Sequence, residues 1–370
     1  MHTSKTVRYL SLFSGIGAFE RSVRDLKQFR CVGYSEIDKN ALLVYQKNYP
    51  DHKWLGDVLH ISDDTIKRMH PDLIIAGFPC TDISTMKKIR CAAPKRGLRA
   101  GGQSSLLLQL LHILQTACES CTPKPHIIVE NVVSMSKATR VFITSCLKYV
   151  YSGVYTVHTS QIDGAHFSPQ RRKRFFWTTF EVDAPPLSCR GPSFKSIADR
   201  TRKEDKRYMP ATTYAAANKL SKCSTGGMRH TRDYVVLPIA VQAKKGWYAF
   251  HYKTFKLDSR HRARNRWSND YLSVTSRCNK TRTLTKAGLY VVEYNKTNAS
   301  LFKLRQMTVT EMHALFGFDA EYCSVLGSHT QIKCALANSI VVGVLRYIVQ
   351  HYSKHVLHNG STETTHSHKK

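Results

Sequence analysis

The sequence predicts an α/β protein, a doubly wound sheet flanked by helices, with a smaller and mainly irregular or β second domain. From Val7 to Trp177 short apolar runs alternate with helical patterns, and this is the rhythm of strands covered by helices. After Phe180 the rhythm stops, and Pro185, Pro186 and Pro192 punctuate a polar, basic stretch that continues to about Leu301. A closing amphipathic pattern, TVTEMHALFGF and then SHTQIKCALANSIVVGVLRYIV, is expected to return and pack on the first domain. The expected division is 1–182 for the first domain, completed by 327–355, with 183–326 as the second domain and hinge and 356–370 as a tail.

In sheets of this kind ligands bind beyond the carboxyl ends of the strands, so the polar residues that close each apolar run are the informative ones. VRYLSLF opens the sheet and runs directly into LFSGIGAFE, where Gly15 and Gly17 let the backbone approach a ligand at a helix start. Alone, that turn suits any nucleotide-like cofactor, or tight strand–helix packing with no ligand. The next apolar run, CVGYSEI, ends in Glu36, whose carboxylate can accept ribose hydroxyls, and LGDV then places Asp57 to accept an adenine amino proton. Either carboxylate by itself reads as a solvated surface group. Together, without a GxGxxG or a Walker lysine, they favour an adenosine lacking phosphates, such as S-adenosylmethionine.

The run DLIIAG leads into Phe78, Pro79 and Cys80. A cysteine after a buried strand is usually inert packing. Here the following segment, TDISTMKKIRCAAPKRGLRAGGQSS, is too polar and glycine-rich to bury, so the thiol reads as an exposed nucleophile under a basic loop. HIIVENV brings Glu130 and Asn131 to an equivalent level, and SPQRRKR precedes the run FFWTTF.

A formal charge of +30 exceeds what solubility requires and points to a polyanionic partner. Lys and Arg are interleaved with aromatics from Trp247 to Arg305, which suits nucleic acid better than a membrane surface, although charge does not choose DNA over RNA. The apolar runs Leu73–Phe78 and Ile340–Val349 are too short or too interrupted to span a bilayer, and no charged leader precedes a long apolar stretch. The expectation is a soluble intracellular protein, in cytoplasm or nucleus, with no membrane partner. Eleven cysteines without framework spacing imply reduced thiols. Cys118 and Cys121 form a CxxC with no second pair at zinc spacing, so the end of a helix is expected there and no metal site. His366 and His368, beside Lys369 and Lys370, read as a solvated tail.

Taken in order, FSGIG, the Glu36 strand end, the Asp57 turn, GFPC, GLRAGGQSSL, ENV, QRRKR, RQMTVTEMHALFGF and QxxxxxANS resemble the motif set of the cytosine-C5 DNA methyltransferases of prokaryotic and viral restriction-modification type. The resemblance covers nearly the whole catalytic region. It implies a Rossmann-like S-adenosylmethionine-dependent methyltransferase domain with a target-recognition domain. It also implies methyl transfer to a flipped-out cytosine in a short duplex DNA sequence, through a covalent adduct between Cys80 and C6. Glu130 is then expected at N3 and the exocyclic amine, Asn131 orienting the loop, and Arg172, with Arg174 beside it, contacting O2 and holding Glu130. The implied cofactor contacts are Phe13 against the adenine with Ser14, Gly15 and Gly17 in the turn, Glu36 and Ile37 at the ribose, and Asp57 and Val58 at the adenine. Pro79 is expected near the reacting face, Leu106 alongside, and Asn338 and Ser339 at the methionine end, while Arg305 braces the catalytic segments. Two residues depart from the pattern: Thr81 stands for the usual glutamine and Ala337 for the glycine of a GNS triplet, and neither removes a reacting group.

The segment Thr81–Arg99 is expected to close over the flipped base, with Ser84, Lys87, Lys88, Arg90, Lys95 and Arg96 at phosphates or groove, against the plainer reading of a solvated basic loop. Between Asp183 and Leu301, Arg277 or Arg282 is expected to read a base, and Thr283-Leu284-Thr285 to seat the recognition loop; these arginines serve phosphates alone in the plainer reading. The expected partner is double-stranded DNA bound by a monomer, with room for a cognate restriction endonuclease sharing the site. The nearest alternative is an RNA cytosine-C5 methyltransferase with the same catalytic residues, and the long basic segment favours DNA. A catalytically dead DNA-binding relative is opposed by the joint presence of Cys80, Glu130, Arg172, Glu36 and Asp57.

Overall fold

A computed structural model of the chain describes residues 6–79, 105–186, 191–192, 194–198, 230–231, 234–237, 248–250, 253–256, 281, 283–284, 290–294 and 302–358. Its strands are β1 (Val7–Leu12), β2 (Phe29–Ser35), β3 (Leu73–Ala76), β4 (His126–Val132), β5 (His158–Asp163), β6 (Lys173–Thr178), β7 (His230–Thr231), β8 (Tyr234–Leu237), β9 (Tyr248–Phe250), β10 (Lys253–Lys256), β11 (Tyr290–Tyr294) and β12 (Phe302–Gln306). Its α-helices are α1 (Ala18–Val23), α2 (Lys39–Asn48), α3 (Asp63–Met69), α4 (Ser105–Ser120), α5 (Lys137–Val150), α6 (Phe194–Ala198), α7 (Val309–Phe316), α8 (His329–Asn338) and α9 (Val342–Tyr352). The chain forms two compact units, the first made of Met1–Asp163, Lys173–Ser188 and Val342–Lys370, the second of Gly164–Arg172 and Cys189–Val341.

The first unit is built on a six-stranded sheet of order β2-β1-β3-β4-β6-β5. β1 pairs in parallel with β2 and β3, and β3 with β4, whereas β6 runs antiparallel to both β4 and β5. All four residues of β3, LIIA, are buried, as expected of a strand covered on both faces. The helices begin where the sequence supplies caps: Asp38, Ser62 and Ser136 accept backbone N–H groups in the first turns of α2, α3 and α5. β5 was not marked by the apolar pattern, because HTSQID is polar and lies at the sheet edge, where only part of a strand's surface meets the core.

The second unit carries two three-stranded antiparallel sheets, β10-β8-β7 and β12-β11-β9, in the stretch expected to be irregular and β. α7 opens with a capping box between Thr308 and Glu311 and closes on Gly317, whose φ of 82° suits only a residue without Cβ strain.

The closing pattern forms two helices, α8 and α9. It breaks at Ser339–Val341, so that α8 belongs to the second unit and α9 to the first. The expected completion of the first domain by 327–355 is therefore divided at Val341/Val342, and Gly164–Arg172 falls with the second unit. Hydrogen bonds within the second unit account for this: Gly164 N–H reaches the Arg172 carbonyl at 3.0 Å, and Gln170 binds Leu284. The stretch His329–Leu357 has the length and apolarity of a membrane span, yet it is two helices, and Val342, Val344, Leu345, Ile348 and Val349 are buried. Its apolarity in α9 is that of a core helix, packed on α1.

Cys118 lies in the last turn of α4 and Cys121 just after it, both buried, and burial pushes both thiols up. Beneath the first turn of the sheet, Glu20 is also buried, with the Tyr45 hydroxyl donating to its Oε1 at 2.9 Å. Burial holds the Glu20 carboxyl above the usual carboxylate range. The unfolded chain releases this proton at about pH 4.3, the folded chain only at higher pH. The contribution of Glu20 to stability is thus full below the unfolded value and declines as pH rises through the folded one. Glu20→Gln is expected to melt above the wild type at pH 8, with the gap closing toward pH 4; an equal gap at both pH values would contradict a buried neutral acid.

Candidate active site

At the carboxyl ends of β1 and β2 the chain builds a polar cradle. Phe13 has φ of 54°, Gly15 of 58° and Gly17 of 85°, and a non-glycine residue held in this region stores on the order of 1–3 kcal/mol. Ser14 pins the turn, its N–H donating to Ser35 O at 3.0 Å and its hydroxyl to Ser11 O at 2.9 Å. A Cβ placed on Gly15 would meet nothing within 4 Å, so the turn faces open space. Gly15 N–H donates to Glu36 Oε2 at 2.7 Å, while Ile37 and Asp38 N–H both donate to Glu36 Oε1 at 2.8 Å. A carboxylate has about four acceptor positions, and three backbone donors leave one on Oε2 for a hydroxyl.

Asp57 caps the short helical turn Val58–His60 by accepting Leu59 N–H at Oδ1, 3.0 Å away, which leaves Oδ2 to a second donor. Val58 is buried and Ile37 exposed, and Phe13 and Leu106 are half-buried against the core. Open space at Gly15, a spare acceptor on Glu36 and a second on Asp57 fit an adenosine that gives one ribose hydroxyl to Glu36 and its exocyclic amine to Asp57.

β3 ends at Ala76, and buried Phe78 and half-buried Pro79 carry the chain toward Cys80. Cys80 itself, with Thr81, Ser84, Lys87, Lys88, Arg90, Lys95 and Arg96, lies outside the described residues, as do Arg277, Arg282 and Thr285. The segment before Cys80 is fastened from the neighbouring strand. Buried Asn131 donates from Nδ2 to Phe78 O at 3.2 Å, and its Oδ1 accepts Val132 N–H at 2.8 Å.

One residue earlier, Glu130 Oε1 receives Arg174 Nε at 2.8 Å, with the two side chains only 12% and 14% exposed. The register explains the pair: Arg174 lies opposite Val132 and Phe176 opposite Glu130, so Arg174 and Glu130 are diagonal neighbours on one face. Arg174 Nη1 also donates to Lys173 O at 2.9 Å, which fixes the guanidinium.

Arg172, expected to act with Arg174 at the base, is buried in the second unit. Its guanidinium donates to Ala337 O at 2.7 Å and Leu284 O at 3.4 Å and lies 5.1 Å from the Phe316 ring centroid. β6 begins only at Lys173, and the Arg172 carbonyl is held by Gly164, so Arg172 serves as a brace of that unit.

Gln170, which sequence reasoning passed over, is fully buried. Its Oε1 accepts Leu284 N–H at 2.7 Å, and Thr283 Oγ1 donates to Arg171 O at 2.6 Å, beside a parallel bridge between Gln170 and Thr281. Only a glutamine in a run of exposed-looking arginines hinted at this, because its partner is 114 residues away. Asn338 ends α8, Ser339 N–H closes that helix on Leu336 O at 2.9 Å, and Arg305 occupies β12 opposite Val291.

Residues 7–354 match the family of C-5 cytosine-specific DNA methylases. The chain belongs to that family. It is 32% identical over 170 residues to the type II methyltransferase M2.BsuMI of Bacillus subtilis strain 168, covering 45% of this chain and 40% of the relative. It is 31% identical over 180 residues to M.BsuFI of Bacillus subtilis, covering 47% and 39%. The matched region thus spans about two fifths of the length of these relatives.

Among solved structures, the Entamoeba histolytica methyltransferase EhMeth aligns with a TM-score of 0.62 at 15% identity, over 95% of this chain and 98% of that one. The S. pombe Dnmt2 methyltransferase aligns with 0.61 at 15% identity, over 95% and 99%. At that identity the likeness is one of fold, the Rossmann-like methyltransferase fold with a mixed sheet.

Removing one member of a buried ion pair strands the other. Arg174→Ala is expected to destabilise the protein by about 3 kcal/mol in denaturant unfolding, and adding Glu130→Gln to recover much of that loss. Equal stability of Arg174→Ala and wild type would show the pair to be only a surface contact.

Proposed function

We propose that the protein transfers a methyl group from S-adenosylmethionine to carbon 5 of a cytosine flipped out of a short duplex DNA sequence, with Cys80 as covalent nucleophile. The observation that carries this reading is the bond from Asn131 to Phe78 O, next to the Glu130–Arg174 pair. It couples the strand end that leads to Cys80 to the strand end that presents Glu130, as a pyrimidine attacked at C6 and held at N3 requires. Membership of the C-5 cytosine-specific DNA methylase family supports the same chemistry.

Cofactor binding falls to Glu36, with its spare acceptor, and Asp57, with Phe13, Ser14, Gly15, Gly17, Ile37, Val58, Pro79 and Leu106 around them and Asn338 and Ser339 assigned to the methionine end. When bound, S-adenosylmethionine supplies an electrophilic methyl group. Cytosine C5 is a poor nucleophile, so the Cys80 thiolate adds to C6 first, forming a C–S bond and moving electron density to C5 and N3. Glu130, oriented by Arg174, faces N3 and the exocyclic amine and stabilises that density. C5 would then attack the donor's methyl carbon as its bond to the sulfonium sulfur breaks and a neutral thioether leaves, a solvent base would take the C5 proton, and the electrons of that C–H bond would expel the Cys80 thiolate. Asn131 orients the loop, and Arg172 and Arg305 act as braces.

The charge of +30 supports a nucleic-acid substrate, with Ser84, Lys87, Lys88 and Arg90 at the backbone and Arg277, Arg282 and Thr283 in the recognition unit. The division into domains follows the same reading, a catalytic unit and a target-recognition unit. The enzyme acts as a monomer inside the cell, and the type II names of its relatives support a cognate restriction endonuclease sharing its site.

Cys80→Ala is expected to lower methyl transfer by at least about 10⁴-fold while duplex DNA is still bound in a gel-shift assay, because the covalent step splits an otherwise prohibitive barrier. Turnover retained in that variant refutes the mechanism. Tritiated methyl donor offered with duplex DNA and transfer RNA together is expected to label the DNA; label confined to RNA overturns the substrate assignment. Bisulfite sequencing of a plasmid carried with the gene reads the modified atom and the site at once.

A further inference from the structure

Glu36 owes its orientation in part to a residue outside every motif. Trp54 follows a short extension of the sheet, in which Tyr34 N–H donates to Lys53 O at 2.9 Å and Leu55 N–H to Tyr34 O at 2.8 Å, so that Trp54 pairs in parallel with Tyr34 at the edge of β2. From there its indole Nε1–H donates to Glu36 O at 3.1 Å. The peptide receiving that bond is the one whose N–H, on Ile37, donates to Glu36 Oε1 at 2.8 Å. One peptide plane is therefore held on its oxygen side by the indole and on its nitrogen side by the carboxylate. A donor on the carbonyl also strengthens the N–H as a donor, since chained hydrogen bonds polarise one another.

Trp54 is 48% exposed, and on the two carboxylate turns Ile37 is 64% and Leu59 50% exposed. A large aromatic side chain left half in water gains little from core packing. Its fixed contact is with the Glu36 peptide.

We propose that Trp54 is a positioning residue for the cofactor: its indole N–H fixes the Glu36–Ile37 peptide and through it the orientation of the Glu36 carboxylate. This rests on the reading of Glu36 as the ribose acceptor. Trp54 acts on affinity at the adenosine end and leaves the reacting atoms alone.

Trp54→Phe keeps the ring and removes the donor, and one net hydrogen bond corresponds to roughly a threefold to tenfold change in affinity. Isothermal titration of the full chain with S-adenosylmethionine should show the dissociation constant rising by that factor. KM for S-adenosylmethionine should follow, while kcat at saturation and the melting temperature stay close to the wild type. In a Glu36→Ala background, Trp54→Phe should add almost nothing, because the residue acts through that carboxylate.

Unchanged affinity in Trp54→Phe, a loss that adds fully to that of Glu36→Ala, or a fall in kcat and melting temperature together would each overturn the proposal. Wild-type protein that binds S-adenosylmethionine and methylates DNA beside an unaffected Trp54→Phe variant overturns the role of Trp54 alone. Wild-type protein that binds no S-adenosylmethionine takes the proposed function down as well.

Discussion

A single carboxylate joins the two turns on which the rest of the site depends. Glu36 accepts Gly15 N–H on one oxygen and Ile37 and Asp38 N–H on the other. Those three donors sit where β1 gives way to α1 and β2 to α2, beyond the last ladder bond and before the first helical one. Unsatisfied there, each would cost about 1–3 kcal/mol if buried. The negative charge also lies just ahead of α2, where the helix dipole favours it. Sheet edge, Gly-rich turn and helix start are thereby locked into one geometry before any ligand arrives. The remaining acceptor position of Glu36 is thereby held in a fixed direction.

The other half of the site follows from the direction of β6. A further parallel strand beside β4 would need a long crossover, and its residues would meet those of β4 in a different register. Antiparallel pairing instead brings Arg174 diagonally across from Glu130 and seals the pair to 12% and 14% exposure. At that burial a lone glutamate would lose its charge or destabilise the sheet, so the guanidinium decides whether the carboxylate can be kept there at all. Asn131, on the opposite face of β4, spends its side chain on Phe78 O and Val132 N–H. Successive residues of one strand thus serve different ends, Glu130 the pair with Arg174 and Asn131 the segment that follows β3.

The legible part of this protein was the part written in local pattern. Apolar runs marked β1 to β4, and the polar pattern picked out Glu36 just after β2, Glu130 near the end of β4 and Asp57 at the cap of a short helical turn. β5 escaped because an edge strand such as HTSQID carries almost no apolar signal. The roles of the arginines in QRRKR were not separable, since Arg172 and Arg174 have the same parity and only the start of β6 at Lys173 tells them apart. Gln170 was hidden for another reason. Its partner Leu284 is set by tertiary packing over 114 residues, and no local rule distinguishes a buried glutamine from a solvated one. The break within the closing pattern had no local mark, because SHTQIKCALANSIVVGVLRYIV keeps helical spacing across it; Ser339 ends α8 by returning its N–H to Leu336, a feature of conformation rather than composition.

The two arginines of one motif are used by different units of the chain. Arg172 is spent within the second unit, on Leu284 O and Ala337 O, while Arg174 holds Glu130 in the first, and only Lys173 separates them. Thr281, Thr283 and Leu284 are bonded to Pro169, Gln170, Arg171 and Arg172, so the segment expected to seat the recognition loop is anchored on the peptide that continues into β6. The peptide from Pro169 to Arg172 thus spends its bonds within the second unit, and Lys173 marks where the sheet of the first unit resumes.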